Sequence, residues 1–345
     1  MSSFPSPLVS VVLPVCNAGG TIARAIASVQ AQTLLDWELV VVDDGSTDGT
    51  SALVRELVRG DPRLRLVGHA HTGVAGAANA GMVGVRGRFI ARMDADDVSH
   101  PERLAAQAAF LAAPENRTVG VVGSLVDYGG DRTAQTGYAL HVDWTNTLVT
   151  AGEIALNRFV DSPLVNPSVM FRRELVERHG GYRDGDFPED YELWLRWLDA
   201  GVKMAKVLRP LLIWSDPPGR LTRTDPRYAP EKFFRVKAGW IARELARAAT
   251  GRKIFVWGAG RHTRKRAAHL TAHGVSIAGY VDVDAKKTGR GLGGTGVPVI
   301  GAESLPPPGE IFVLSYVTTR GARDYNREKL QGRGYVEGRD FLMCA

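Results

Sequence analysis

With 345 residues the chain is long enough for two domains, each with its own core, and 44% hydrophobic and 23% charged residues are ordinary for a water-soluble globular protein. A net charge of +6 favours anionic partners, but no basic array interleaved with aromatic residues marks a nucleic-acid surface, and no stretch reaches the ~18 apolar residues of a membrane span. Cys16 and Cys344 stand at opposite ends; two isolated thiols make neither a disulfide framework nor a metal site and predict a reducing cytoplasm.

In chain order, "VSVVLPV" is a continuous apolar run that reads as a strand covered on both faces; no basic segment precedes it and Pro14 breaks it, so it is not read as a signal peptide. "GGTIARAIASVQAQT" sets Ile22, Ile26 and Val29 at helical spacing. "ELVVVDDGS" is a second buried strand, "GTSALVRELVRG" a helix closed by Gly60, "RLRLVGH" a third strand, "GVAGAANAGMVGV" a helix and "RFIARM" a fourth strand. Such alternation predicts a parallel sheet wrapped by helices, with ligands at the carboxyl ends of the strands. Asp43, Asp44, Asp94 and Asp96 fall at such ends.

From about Val119 the pattern turns irregular, with strand-like "VGVVGSLVDY" and "PSVMFRR" around one expected helix, "WTNTLVTAGEIALNRFV". "PEDYELWLRWLDAG" is a helix with Leu193, Trp194, Trp197 and Leu198 as its stripe, and "SDPPGRLTRTDPRYAP" is a loop expected to be mobile without ligand. Residues 231–250 form a connecting helix whose apolar face is expected to hold Phe233, Val236, Trp240 and Leu245. It reads as packed between domains, with an interfacial membrane helix as the alternative. "KIFVWGAG", "RKRAAHLTAHG", "SIAGYVDVD", "EIFVLSY", "RDYNREKLQGRG" and "FLMC" restart the alternation and predict a small doubly wound domain over 251–345.

Asp94, Asp96 and Asp97 in "FIARMDADDVSHPERL" raise the question of a positive partner, because crowded carboxylates repel one another. Asp94 and Asp96 fall on one side of an extended chain, and such oxygens suit Mg²⁺ or Mn²⁺ with one or two protein carboxylates plus substrate phosphates. The alternative is that Asp97 caps the helix near Pro101 while the others are solvated. In "VVDDGSTDGT" a carboxylate at the strand exit can accept the N3–H of a uracil ring; Asx-turn chemistry is the bland reading, and it hardly needs both Asp43 and Asp44. Nucleobase acid and metal acids at neighbouring strand ends match the length of a nucleoside diphosphate.

"VSVVLPVCNAGGTIARAIASVQAQTLLDWELVVVDDGSTDGT", "RGRFIARMDADDVSHPERLAAQ" and "FPEDYELWLRWL" resemble the family 2 glycosyltransferases of GT-A fold over about residues 8–230. The resemblance implies a GT-A domain over 1–230 that inverts the transferred sugar with the help of Mn²⁺ or Mg²⁺. It implies that Asp44 holds the donor base with Asp43 and Pro14 beside it, that Asp94 lies near the ribose and diphosphate, and that Asp96, with Asp94, ligates the metal. Asn79 joins the donor site, and Asp190 of "PED" is the general base with Glu189 next to it. The implied donor is a UDP-sugar. The implied acceptor is a hydroxyl of a surface polysaccharide or lipid-linked glycan, reached from the cytoplasm at the inner face of the membrane through peripheral contact.

Two positions depart from the family. Ala78 stands where many relatives carry Arg, so Arg220 and Arg223 of "GRLTR" are candidates for the diphosphate; solvated loop arginines are the alternative. Asn166 stands where relatives often have His. His141, Asp143 and Trp144 are candidates for an acceptor pocket, although a packed Trp is the simpler reading. The final domain resembles Rossmann-type modules, with Gly258, Gly260 and Asp282 as a candidate second nucleotide site, but Thr263 replaces the third glycine. Two rival functions are a nicotinamide-dependent or nucleotide-sugar-modifying enzyme acting through this domain, for which no acid–base pair is found, and a non-catalytic sugar-nucleotide binder.

Overall fold

A computed structural model of the protein describes residues 6–289, 296–319 and 321–345. Contacts divide the chain into two units: Met1–Ala155, Pro163–Gly185 and Glu189–Pro226 form the first, and Leu156–Ser162, Asp186–Pro188 and Arg227–Ala345 the second.

The first unit holds strands β1 (Val9–Val15), β2 (Trp37–Asp43), β3 (Leu64–Gly68), β4 (Phe89–Arg92), β5 (Val98–Ser99), β6 (Val119–Tyr128), β7 (Met170–Arg172) and β8 (Lys203–Trp214), in the sheet order β3-β2-β1-β4-β7-β6-β8-β5. β3, β2, β1 and β4 run parallel, and β7 joins β4 antiparallel. The side chains of β1 and β2 are buried along their whole length, as continuous apolar runs require. Helices cover both faces: Ile22–Gln30 buries Ile22, Ile26 and Val29, and Gly73–Met82 buries its small residues.

One strand goes unread in the sequence, and one expected helix is divided. The twelve-residue β8 was not anticipated, because Lys203, Lys206, Arg209 and Pro210 interrupt its apolar pattern; it pairs with β6 through register shifts that absorb the irregularity. The single helix expected from "WTNTLVTAGEIALNRFV" is two, Thr136–Thr147 and Ala151–Asn157. Between them the Glu153 carboxylate accepts the Val149 and Thr150 N–H groups while the Thr150 hydroxyl accepts the Glu153 N–H, a capping box that starts a new helix.

The second unit holds β9 (Lys253–Trp257), β10 (Ile277–Val281), β11 (Val299–Ile300), β12 (Ile311–Ser315) and β13 (Phe341–Met343), an all-parallel sheet of order β11-β10-β9-β12-β13. The Pro230–Ala248 helix clusters with this unit. Its buried face is Phe234, Lys237, Ala238, Ile241 and Leu245; of the expected Phe233, Val236, Trp240 and Leu245, only Leu245 lies on it. Both sets repeat at three and four residues; the observed one lets the Lys237 ammonium reach the Phe159 and Val160 carbonyls at 2.8 and 3.2 Å. Among the described residues no helix is long and apolar enough to cross a membrane.

Candidate active site

Because β1, β2 and β4 are parallel, their carboxyl ends share one edge of the sheet, and the acidic motifs follow those ends. Pro14 is buried in β1 opposite Val42, and the exposed Cys16 comes two residues later, its sulfur 3.9 Å from His71 Nδ1. Asp43 accepts the Ser46 N–H at 3.0 Å. Burial pushes its carboxyl up, but hydrogen bonds from Ser46 and Ser51 together outweigh this and leave it below the usual range.

Asp44, only 3% exposed, accepts the Thr72 and Gly73 N–H groups at 2.9 Å each, and His69 Nδ1 lies 3.2 Å from the same carboxylate. A carboxylate offers about four acceptor sites, so most of this one is engaged in fastening the start of the Gly73–Met82 helix to the end of β2.

Asp94, Asp96 and Asp97 follow β4 over a buried guanidinium. Arg92 is fully buried and donates to Asp94 Oδ1 at 2.9 Å, to the Tyr182 hydroxyl at 3.1 Å and to the Val12 carbonyl at 2.9 Å. Arg103, 1% exposed, donates to Ser99 Oγ at 2.9 Å and to the Arg92 carbonyl, and burial lowers it to about 10. Burial and the neighbouring Asp94 raise the Asp96 carboxyl. Burial and both neighbours raise Asp97 further.

Asp97 does not cap the next helix, as one reading had it. That helix starts at Arg103 without a side-chain cap, while Asp97 Oδ1 accepts the Ser215 N–H at 2.8 Å and Oδ2 is buried with no hydrogen-bond partner. The "SHP" sequence keeps the chain extended through β5, which carries Asp97 inward towards the end of β8.

Glu189 and Asp190 open the Glu189–Asp199 helix, whose Trp194 and Trp197 are fully buried and meet edge to face with ring centroids 5.9 Å apart. The charges of both acids bear on Tyr182, and that of Glu189 bears on Arg92. One buried Arg–Tyr pair therefore stands between the aspartates after β4 and the acids of "PED". The Tyr182 hydroxyl donates to Asn166 Oδ1 at 2.7 Å. Asn79 clasps the backbone of Tyr182, donating to its carbonyl at 2.8 Å and accepting its N–H at 2.9 Å, so its amide is committed to the fold. Ala78 is 1% exposed and packs in the apolar cluster with Val12 and Val40, a place with no room for a solvated guanidinium.

The two loop arginines separate. Arg223 donates to Asp216 Oδ2 at 2.6 Å and lies over Tyr138, 4.7 Å from the ring centre. Arg220 stacks on Trp214 at 3.6 Å, and its charge bears on Asp96 and Asp97. The side chain of Asp216 is fully buried and also accepts the Tyr128 hydroxyl; burial and this bond push the Tyr128 hydroxyl up to about 12. His141 lies between Trp144 and Trp214 at 5.7 and 6.2 Å, and Asp143 pairs with Arg132 at 2.6 Å.

In the second unit Gly258, Gly260 and Asp282 do come together, since Asp282 Oδ2 accepts the Ala259 N–H at 2.9 Å. The turn is filled at Gly258, where a Cβ would meet Thr263 Oγ1 at 2.9 Å and Val317 at 3.0 Å, but open at Gly260, where a Cβ would meet nothing within 4 Å; Lys287 Nζ lies 3.2 Å from Asp282.

Arg92, Tyr182, Tyr128 and Asp216 were not anticipated. Arg92 could have been found, since an arginine inside a four-residue strand of otherwise apolar residues needs a buried acceptor; Tyr182 and Asp216 leave no such mark. Among the described residues no three His, Cys, Asp or Glu side chains cluster as a complete metal cage. Clustered carboxylates with an unpartnered buried oxygen nevertheless fit Mn²⁺ or Mg²⁺ held by one or two protein ligands and a diphosphate.

A mixed sheet with acids at the carboxyl edge of its parallel part defines a GT-A-type glycosyltransferase unit, and known proteins agree. The family described as "Glycosyl transferase family 2" matches residues 10–180. "Putative glycosyltransferase EpsE" of Bacillus subtilis is 30% identical over 203 residues, covering 57% of this chain and 69% of that protein. "O-antigen biosynthesis protein RfbC" of Myxococcus xanthus is 33% identical over 210 residues, 59% of this chain but only 16% of that much longer protein. The chain belongs to glycosyltransferase family 2. Two solved structures share the fold: the mannosyltransferase PcManGT of Pyrobaculum calidifontis with GDP-Man and Mn²⁺ (TM-score 0.51, 23% identity, 78% of this chain and 70% of that one), and TarS 1-349 of S. aureus with UDP-GlcNAc (TM-score 0.52, 20% identity, 76% and 71%).

Proposed function

We propose that this glycosyltransferase moves a sugar, with inversion, from a UDP-sugar to a hydroxyl of a polysaccharide or lipid-linked glycan, using Mn²⁺ or Mg²⁺. The observation that carries the reading is the buried Arg92–Tyr182 pair, which joins Asp94 on one side to the neighbourhood of Glu189 and Asp190 on the other. Asp96, with Asp94, would hold the cation, whose charge offsets that of the leaving diphosphate. Asp190 takes the proton of the acceptor hydroxyl as it attacks, and no covalent intermediate is needed. Asp43 and Asp44 define the base end, Asp44 by anchoring the 69–73 segment. Arg220, stacked on Trp214 beside the aspartates, is the side chain placed to meet the diphosphate, while Arg223 holds the loop through Asp216. The complex of PcManGT with a nucleotide sugar and Mn²⁺ supports the metal, and the name of RfbC supports polysaccharide assembly.

The test is release of nucleoside diphosphate from a panel of UDP- and GDP-sugars, with and without Mn²⁺, in the wild type and in Asp96→Ala. Release from a UDP-sugar that needs metal and Asp96 is expected, with an inverted anomeric centre by NMR. Equal turnover in chelator, preference for a GDP-sugar, or a retained anomeric centre would each overturn the corresponding part.

A further inference from the structure

The charge of the chain is unevenly divided. The second unit has 22 Lys and Arg against 12 Asp and Glu, whereas the first has 21 against 25, so the whole positive excess resides in the second. Part of it gathers at one edge of the second sheet. Arg261 and Arg264 lie three residues apart on one face of the Arg261–Ala267 helix, are exposed, and face no carboxylate at ion-pair distance among the described residues. Lys265 is exposed beside them, 3.4 Å from Glu231. The bond from the Ala259 N–H to Asp282 fastens the segment after β10 to the turn that precedes this helix. That segment carries the exposed Lys286 and Val283, the latter 62% exposed. Arg261 opens this helix, while Arg264 and Lys265 lie in its last turn.

We propose that this edge, with Arg261, Arg264, Lys265 and Lys286 around Val283, docks on an anionic lipid bilayer. Several cations about an exposed apolar side chain match a surface of anionic headgroups over hydrocarbon. A single-stranded nucleic acid would instead ask for aromatic stacking platforms, and the patch has none. The apolar face of the Pro230–Ala248 helix is not available for the purpose, since it is buried in its own unit. The docking goes beyond the transfer reaction and does not depend on it.

The test is co-sedimentation of the full chain with vesicles of phosphatidylcholine alone or mixed with phosphatidylglycerol, beside binding to soluble polyphosphate. Binding to the mixed vesicles only is expected, falling steeply with salt. Each cation near an anionic surface contributes roughly fivefold, so the double variant Arg261→Gln/Arg264→Gln should bind about thirtyfold more weakly. The exposed first-unit pair Arg117→Gln/Arg178→Gln should bind as the wild type. Val283→Asn should weaken vesicle binding but not polyphosphate binding, with thermal unfolding unchanged in all variants. Equal binding to both vesicles, an equal loss in the first-unit control, or indifference of vesicle binding to Val283→Asn would overturn the proposal, the last in favour of a soluble polyanion.

Discussion

Arg92→Met tests whether the buried guanidinium organises the site. The residue is fully buried and donates to Asp94, Tyr182 and the Val12 and Met93 carbonyls, and the substitution removes all four bonds without offering a polar replacement. Breaking one side of a buried ion pair costs about 3–5 kcal/mol. Asp94 keeps 34% of its side chain in solvent and can rehydrate, so the lower end, about 3 kcal/mol, applies. For a unit of this size each kcal/mol lowers the melting temperature by about 2–4 °C, which gives about 6–12 °C. Scanning calorimetry reads the shift directly. The companion variant Asp94→Asn and the double variant close a cycle in which the two single losses should not add. A drop of less than about 2 °C for Arg92→Met, or strict additivity in the cycle, would refute the view of Arg92 as the link between the two acid groups.

Further outcomes follow from the same geometry. Asp190→Asn should slow transfer by about 10²–10⁴-fold while leaving donor affinity unchanged by calorimetry; a near-normal rate would move the base to Glu189. Arg220→Ala should weaken UDP binding by about tenfold, a charge-assisted contact to phosphate being worth roughly 1.5–3 kcal/mol. Arg223→Ala should mainly loosen the loop, read as faster tryptic cleavage. The reverse ranking in UDP affinity would return Arg223 to the diphosphate. Lys206 is 3% exposed, donates to the Thr145 carbonyl, and is lowered by burial to about 7. Because the unfolded chain keeps this proton up to about pH 10.5, stability should rise with pH above 7, by at most about 1.4 kcal/mol per pH unit. Urea unfolding at pH 7 and 8.5 should show that slope in the wild type and a flatter one in Lys206→Met.

Much of the fold was legible because its first half is locally consistent. β1, β2 and β4 are apolar runs bounded by acids and turns, and Ile22, Ile26 and Val29 repeat at helical spacing. β8 was illegible because its charges are accommodated by tertiary partners: Lys206 reaches a helix carbonyl, and Pro210 sits where the pairing with β6 shifts register. In the site, the acids announced themselves by crowding, but their counter-charges did not. Arg92 lies within an apolar strand and its partner Tyr182 comes 90 residues later. The same limit separated Arg220 from Arg223, which look alike in "GRLTR" until Asp216 is seen to claim only one of them closely. Asn79 reads as a ligand position and Ala78 as a missing phosphate contact, while packing ties the Asn79 amide to the Tyr182 backbone and sets Ala78 in the core.

The uneven exposure of the two cysteines makes the natural chain its own spectroscopic reporter. Cys344 is fully buried, and Cys16 is exposed just past β1, next to His71 and the acids that end β2. A maleimide fluorophore therefore has one accessible target in the folded protein without any cysteine having to be removed, and burial and the nearby Asp44 and Asp43 raise the thiol and slow its reaction at neutral pH. Nucleotide seated at the base end should shield that sulfur, so the labelling rate of Cys16 as a function of added UDP yields donor affinity before any acceptor is known.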